Sequence, residues 1–350
     1  MPLPRWGAPR MYGTKAGGTP PSIFQLFDDA VPVQRREPSL LFRAAVAGRA
    51  HHKRTWAVPP SAVARTAVDT GPTPTVQTPA DTVAATAATL ATDAATAAAR
   101  AIPESELLSG CFGDDAYFIR ADALGVADGV SGWRDTGTGA PALYSRLFMH
   151  HCALKAEADG VTSPQALIKH GHRETAGILG SSTVMVVTLE GTLLRMAHIG
   201  DCGMLIVRDG APLLRTVEQQ HDFNFPFQLG AGSRNSPADA ATCEIRVRPG
   251  DVVILGSDGL FDNLFDEEIV AMVARHLRGS ATPRSVADIP AELADDLVAE
   301  ARDASLDRRR TSPFELRAVS AEIFYEGGKP DDICVIVAII VEGEDTPDRR

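Results

Sequence analysis

The sequence lacks a long apolar run, a pattern of paired cysteines and a secretory signal. No run of about 18 apolar residues occurs among its 350 residues, so no membrane span is predicted. No uninterrupted apolar segment follows the first charged residues, which argues against a secretory signal. The cysteines are odd in number and widely spaced, so they predict neither a disulfide framework nor a zinc site and favour a reducing compartment. They are Cys111, Cys152, Cys202, Cys243 and Cys334.

Acidic residues are scarce near the N-terminus, although the whole chain carries a net charge of -11. Residues 1–66 contain ten Lys and Arg but three Asp and Glu, which gives +7 there and -18 in the remainder. Such a leader is typical of a nucleic-acid-binding arm or of a mitochondrial transit peptide. The stretch Leu40–Arg49 interleaves Arg with apolar residues. It favours a transit peptide over residues 1–58, with a plain disordered tail as the alternative.

Between residues 59 and 100 the chain consists almost entirely of Ala, Thr, Pro and Val. The Thr/Pro-rich part cannot build a packed face, although residues 81–100 could form a weak Ala-rich helix. We therefore interpret residues 59–100 as a linker, residues 101–342 as the folded domain and residues 343–350 as a polar tail.

Within the folded domain, short apolar runs and turn dipeptides predict strands, and longer segments opened by Pro predict helices. Strands are expected at 116–119, 124–126, 183–189, 193–199, 204–207, 243–247, 252–255 and 333–341. Helices are expected at 141–158, 164–179, 267–277, 290–305 and 313–323. The strict strand–helix alternation of a doubly wound parallel sheet is missing. The pattern therefore predicts an α+β fold with antiparallel sheets covered by helices.

Aspartates recur at the ends of the predicted strands. Three strands end in Asp followed by a small residue, and two acidic pairs stand directly before strands. Any one of these is typical of a turn, but five such sites predict carboxylates gathered at a sheet edge, where cations must offset their repulsion. Oxygen ligands without His or Cys suit Mg²⁺ or Mn²⁺. The sites are Asp128-Gly129, Asp201-Cys202, Asp258-Gly259, Asp114-Asp115 and Asp331-Asp332.

Six motifs in order resemble the metal-dependent protein phosphatases, the type 2C Ser/Thr phosphatases. The resemblance covers roughly Leu108 to Val341, and two further segments resemble the mitochondrial branch of that family: Gln219–Leu229 and Phe324–Asp332. The six motifs are Gly113-Asp-Asp-Ala-Tyr-Phe, Gly125-Val-Ala-Asp-Gly-Val-Ser-Gly-Trp133, Gly180-Ser-Ser-Thr-Val, Ile199-Gly-Asp-Cys-Gly, Gly256-Ser-Asp-Gly-Leu-Phe-Asp-Asn263 and Lys329-Pro-Asp-Asp-Ile333.

The resemblance implies a four-layer αββα sandwich, in which two antiparallel β-sheets are flanked by helices. It implies two divalent cations, Mg²⁺ or Mn²⁺, which activate a water for attack at phosphorus. By motif position, the metal ligands would be Asp114, Asp128, the carbonyl of Gly129, Asp258 and Asp331. Supporting roles, or a weakly bound third metal, would fall to Asp115, Asp201, Asp262 and Asp332.

This sequence departs from many members of the family at two positions. Val130 stands where many carry a His that protonates the leaving group, and Ser109, Gly110 and Cys111 stand where many carry a phosphate-binding Arg. The mitochondrial branch commonly shares both departures. They leave the general acid and the phosphate-binding residue unassigned. His221 is a candidate for the acid, with a structural role in its loop as the alternative.

The resemblance therefore implies a protein serine/threonine phosphatase in the mitochondrial matrix, with substrates such as quinone-synthesis or other matrix enzymes. The alternative is a non-catalytic regulator that keeps the fold and binds phosphoproteins. We expect phosphorylated proteins as partners and a monomeric chain. Nucleic-acid binding is not expected, because the body is acidic and no aromatic-rich RNA motif occurs.

Overall fold

The computed structural model describes residues 40–51, 102–135, 139–160, 163–278 and 288–343, all within the compact unit Glu37–Arg350. The strands are β1 Leu40–Arg49, β2 Gly110–Phe112, β3 Asp115–Ile119, β4 Ala123–Asp128, β5 Ser181–Ser182, β6 Val184–Glu190, β7 Leu193–Ile199, β8 Gly203–Arg208, β9 Ala211–Arg215, β10 Gln220–Asp222, β11 Phe225–Pro226, β12 Leu229–Gly230, β13 Ala241–Arg246, β14 Val252–Gly256 and β15 Ile333–Glu342. The helices are α1 Gly132–Asp135, α2 Pro141–Asp159, α3 Pro164–Glu174, α4 Asp258–Phe261, α5 Asp266–Leu277, α6 Ile289–Leu306 and α7 Pro313–Ser320.

Two antiparallel sheets form the centre of this unit. One has five strands in the order β1-β15-β14-β8-β9, and the other has six in the order β13-β7-β6-β4-β3-β2. The β8–β9 hairpin turns at Asp209 and Gly210, which both have positive φ, as a type I′ turn requires. The dipeptide Glu190-Gly191 likewise stands at the turn between β6 and β7 of the six-stranded sheet.

Three hydrophobic cores separate four layers. Along β15 the side chains alternate between two of them, as the period of a strand dictates. Val335 and Val337 pack with α5 and α6, whereas Ile336 and Ala338 pack against the second sheet. The outer face of that second sheet packs on α2 and α3. This arrangement confirms the predicted αββα sandwich.

Strand β1 corrects the predicted domain boundary. All ten of its residues pair with β15, and Leu40 and Phe42 are buried between the sheets. The alternation of Arg with apolar residues that favoured a transit peptide is therefore that of an edge strand, in which Leu40 and Phe42 face the second sheet and Arg43 lies exposed on the opposite face. The described fold therefore includes residues 40–49, which lie inside the predicted leader of residues 1–58 and outside the predicted domain of residues 101–342. Residues 1–39 and the predicted linker, 59–100, lie outside the described residues.

Two helices end earlier than predicted, each for a local reason. Helix α3 ends at Glu174, where the N–H and the hydroxyl of Thr175 both donate to the Gly171 carbonyl and the next N–H, of Ala176, turns to the Arg173 carbonyl. Helix α7 ends at Ser320, and Glu322 follows in the left-handed conformation that terminates helices. No helix in the described part of the chain has both the length and the apolarity to cross a membrane.

Candidate metal centre

Seven of the predicted site residues line one cavity of about 350 Å³ at an edge of the sandwich. It receives side chains from the ends of β4, β7 and β14 and from the segments before β3 and β15. The lining includes Asp114, Asp128, Gly129, Asp201, Asp258, Asp331 and Asp332, with the two fixed cations Arg134 and Lys329.

The β3–β4 pair places the first acidic residues. Asp115 and Asp128 are directly opposite in its register, so their side chains share one face of the sheet. Asp115 is fully buried, and its Oδ2 accepts a hydrogen bond of 2.6 Å from the hydroxyl of Ser257. Gly129 follows where a Cβ would stand 2.8 Å from the carbonyl oxygen of Asp114, so a side chain there would push the two segments apart.

Ser257 joins this face to the other sheet. It lies between β14 and Asp258, and its hydroxyl oxygen also accepts a hydrogen bond from the backbone N–H of Cys334 at 3.0 Å. Its own N–H donates to the carbonyl of Cys334 at 3.1 Å. Asp115, Asp258 and the start of β15 are therefore held together by one buried serine.

At one end of the cavity, Lys329 balances three carboxylates. Its ammonium contacts Asp258, lies 2.7 Å from Asp262 Oδ2 and lies 3.3 Å from Asp331 Oδ2. Asn263 fixes the backbone of Lys329 by accepting from its N–H and donating to its carbonyl, both at 2.9 Å. We call Lys329, Asp258, Asp262 and Asp331 the Lys329 side.

At the other end, Arg134 and Asp332 meet Asp114. Arg134 Nη2 lies 2.5 Å from Asp114 Oδ2 and 3.6 Å from Asp332 Oδ2. The carboxylate of Asp332 accepts from the N–H of Asp114 at 2.7 Å and from the N–H of His51 at 2.6 Å. Asp332 therefore ties the end of β1 to the predicted metal ligand. We call Asp114, Asp332 and Arg134 the Arg134 side.

Burial and mutual repulsion disfavour the ionised form of several of these carboxylates. Burial raises the pKa of Asp128 well above its ordinary value, and repulsion from Asp115 and Asp258 adds to the effect. Burial likewise raises the pKa of Asp201 well above its usual range, with Asp258 as the main charged contributor. In Asp258, burial raises the pKa although the ammonium of Lys329 opposes it.

The residues present fit hard divalent cations in donor type and charge. Asp115 Oδ1 and Asp201 Oδ1 are buried and accept no hydrogen bond within the described chain. The ammonium of Lys329 shows that a cation is stabilised in the same site by the carboxylates of Asp258 and Asp262. In the described ranges, however, no three acidic, His or Cys side chains already stand as a ready-made ligand group. Unscreened carboxylates repel one another, and binding would require Asp114 and Asp258 to turn from Arg134 and Lys329.

Comparison with known proteins identifies the family. A family model described as "Stage II sporulation protein E (SpoIIE)" matches residues 136–340. "Protein phosphatase PTC7 homolog" of Xenopus laevis is 38% identical over 260 residues, which cover 67% of this chain and 84% of that protein. The chain belongs to the protein phosphatase 2C family.

Further relatives of the family differ in how much of their length they share. "Probable protein phosphatase 2C 55" of Arabidopsis thaliana is 38% identical over 238 residues, 67% of this chain. This chain covers 49% of that protein and 56% of "Probable protein phosphatase 2C 80", so it spans about half the length of these relatives. The X-ray structure of the photosystem II phosphatase PBCP aligns with a TM-score of 0.58 and 35% identity over 65% of this chain and 92% of that one.

Some predicted residues of this 2C domain lie away from the cavity lining. His221 Nε2 lies 3.0 Å from Asn235 Oδ1, and its ring stacks on Phe227 with centroids 4.2 Å apart, which fits a structural role in its loop. The oxygens of Asp262 contact Arg317 and Lys329, so both are already paired with cations. Asp201, in contrast, lines the cavity.

Lys329, Arg134, Ser257 and Asn263 carry contacts that sequence reasoning did not assign. Lys329 and Ser257 lie inside motifs that carried the resemblance, and Arg134 directly follows another. Their place next to the aspartates was the available signal, but the pairing of each cation with particular carboxylates depends on the tertiary fold.

Proposed function

We propose that this protein is a protein serine/threonine phosphatase that depends on two divalent cations, Mg²⁺ or Mn²⁺. The observation that carries the proposal is the meeting of Asp114, Asp128, Asp258 and Asp331 around one cavity. Their oxygens, with the Gly129 carbonyl, would hold the cations. Bound there, two cations would supply an activated water at neutral pH and stabilise negative charge on a phosphoryl group.

The other residues hold this arrangement and admit a substrate. Asp115 and Ser257 fix the facing strands, and Asp332 fixes the backbone of Asp114. The cavity opens to solvent, as access by a phosphorylated segment of another protein requires. Ser181 and Ser182 do not act as nucleophiles in this proposal, because Ser181 donates to Gln228 Oε1 at 2.5 Å and Ser182 to the Thr183 carbonyl at 2.6 Å.

The test is hydrolysis of a phosphothreonine peptide by the full chain with Mn²⁺ or Mg²⁺, and with EDTA. We expect turnover that requires the metal. A folded protein that releases no phosphate with either ion would overturn the proposal. If that protein still bound phosphopeptides, the non-catalytic regulator would replace the enzyme.

We also propose that the protein acts in the mitochondrial matrix. Residues 1–39 carry five Lys and Arg against three Asp and Glu, which supports this, and the PTC7-type relatives are compatible with it. A targeting segment would have to end before Leu40, since β1 belongs to the fold. Residues 1–39 fused to a fluorescent protein should enter mitochondria, and a cytosolic fusion would contradict the proposal.

A further inference from the structure

A phosphate group that enters the cavity needs positive partners, because its walls carry several carboxylates. Two fixed cations line the cavity, Lys329 and Arg134. The ammonium of Lys329 is 13% exposed and contacts three carboxylates. The side chain of Arg134 is 25% exposed and has one close carboxylate contact, to Asp114. Of the two, Arg134 is the one that an incoming anion can reach.

The backbone holds Arg134 at this place. Helix α1 begins three residues after Gly129, and the N–H of Arg134 donates to the Ser131 carbonyl at 2.8 Å. The neighbouring indole of Trp133 donates to the hydroxyl oxygen of Ser181 at 2.7 Å. Gly139 packs so closely on Trp133 that a Cβ there would come within 2.6 Å of it. This anchoring holds the backbone of Arg134 where its guanidinium reaches Asp114 and Asp332.

The chemistry of the side chain suits the task. A guanidinium presents planar pairs of N–H donors that match two oxygens of a phosphoryl group, which a single ammonium cannot do. Both carboxylate contacts of Arg134 run through Nη2. When Asp114 turns to a cation, Arg134 would lose its closest carboxylate and retain only the longer contact to Asp332 at 3.6 Å.

We propose that Arg134 contacts the phosphoryl group of the bound substrate and supplies the phosphate-binding function left unassigned at positions 109–111. This inference rests on the proposed function. It makes Arg134 a substrate-binding residue of the site, whose loss weakens phosphate affinity more than it weakens metal affinity.

The experiment measures inorganic phosphate binding to the Mg²⁺-loaded full chain by calorimetry, with KM and kcat for a phosphopeptide. The variants are Arg134→Gln and Arg134→Lys. The matched control is Arg120→Gln, because Arg120 is 27% exposed and pairs with one carboxylate, Asp122 at 3.2 Å, in the β3–β4 turn. Metal affinity is titrated in parallel for every variant.

Arg134→Gln should weaken phosphate binding by about tenfold to a hundredfold, as expected for the loss of a charged hydrogen bond, and should raise KM. Its metal affinity should stay equal or rise, because Asp114 loses a competing cation. Arg134→Lys should recover part of the phosphate affinity, and Arg120→Gln should match the wild type.

Phosphate affinity within about twofold of the wild type in a folded Arg134→Gln protein would overturn the inference. Should that variant fail to fold, Arg134→Lys decides: it must bind phosphate about threefold more weakly or worse, since it lacks the planar donor pair. A wild type that binds phosphate but turns over no phosphopeptide would overturn the proposed function alone. Normal turnover with an unchanged KM and phosphate affinity in Arg134→Gln would overturn this inference alone.

Discussion

The two sides of the cavity balance their carboxylates in different ways. On the Lys329 side, one nearly buried ammonium meets three carboxylates, and Asn263 fixes its backbone. On the Arg134 side, a more exposed guanidinium has one close carboxylate contact, to Asp114. The carboxylate of Asp332 accepts hydrogen bonds from backbone N–H groups. The first is a counter-ion built into the fold. The second leaves a cation within reach of solvent, and therefore of a substrate.

The sides also differ in where their parts come from. The Lys329 side is assembled from α4, the residue after it and the segment before β15. The Arg134 side depends in addition on β1, through the N–H of His51. Experiments can test both differences: whether one cation is fixed and the other accessible, and whether the Arg134 side depends on β1.

The largest effect is expected from removal of β1. A chain that begins at His52 loses the ten-residue pairing with β15, the buried Leu40 and Phe42, and the His51 contact to Asp332. The free energy of unfolding should fall by more than about 5 kcal/mol, because each large buried side chain contributes about 3 kcal/mol or more. Urea unfolding measures this.

A chain that begins at Glu37 is the matched control, because it retains β1 and should unfold like the full chain. Equal stability of the two truncated chains would show that β1 is dispensable, and would restore a leader that reaches residue 58.

A substitution within the Lys329 side comes next. Asp258 and Asp262 both contact Lys329, but only Asp258 is a proposed ligand of the two cations. Asp258→Asn should therefore lower kcat/KM by about a thousandfold, because a bound cation supplies several kcal/mol of transition-state stabilisation. Asp262→Asn should lose about tenfold or less. Comparable losses of kcat/KM in both variants would show that the two carboxylates have the same role, and would contradict Asp258 as the metal ligand of the pair.

Lys329→Met separates structural balance from metal binding. Without its metals the protein should lose about 3 kcal/mol of stability, since buried carboxylates would lose their partner. Its Mn²⁺ affinity should nevertheless rise about tenfold, because a competing cation is gone. Thermal unfolding and calorimetry measure the two effects.

The control for this variant is Lys155→Met, which removes an exposed pair with Asp159 at 2.7 Å on helix α2. It should change neither quantity appreciably. Unchanged metal-free stability in Lys329→Met would contradict the role of Lys329 as a built-in counter-ion.

The smallest effect is a pH dependence. Burial and repulsion raise the pKa of Asp128 and Asp201 in the folded protein, whereas the pKa of an Asp in the unfolded chain is about 4. Between these values the folded state binds more protons than the unfolded state, so metal-free stability falls as pH rises through the raised pKa. Metals bind the ionised form.

The increase in melting temperature on adding Mn²⁺ should therefore be larger at pH 7.5 than at pH 5.5. An increase that is equal at both values would show that these carboxylates are already ionised in the metal-free protein.

The contrast also shows what the sequence could predict. Strand-end aspartates were visible because an apolar run followed by Asp-Gly is a local pattern, and the structure places Asp128 and Asp258 around one cavity. Strand β1 was missed because its pairing partner, β15, lies near the other end of the chain, so no local pattern joins the two. Lys329 and Arg134 were missed for a similar reason, since only the tertiary fold sets their carboxylate partners.

The most direct test of the central claim is anomalous X-ray scattering from a crystal of the full chain grown with Mn²⁺. Two manganese peaks are expected in the cavity, within reach of Asp114, Asp128, Asp258 and Asp331. Manganese absent from the cavity at saturating concentration, or bound only at other surfaces, would contradict it.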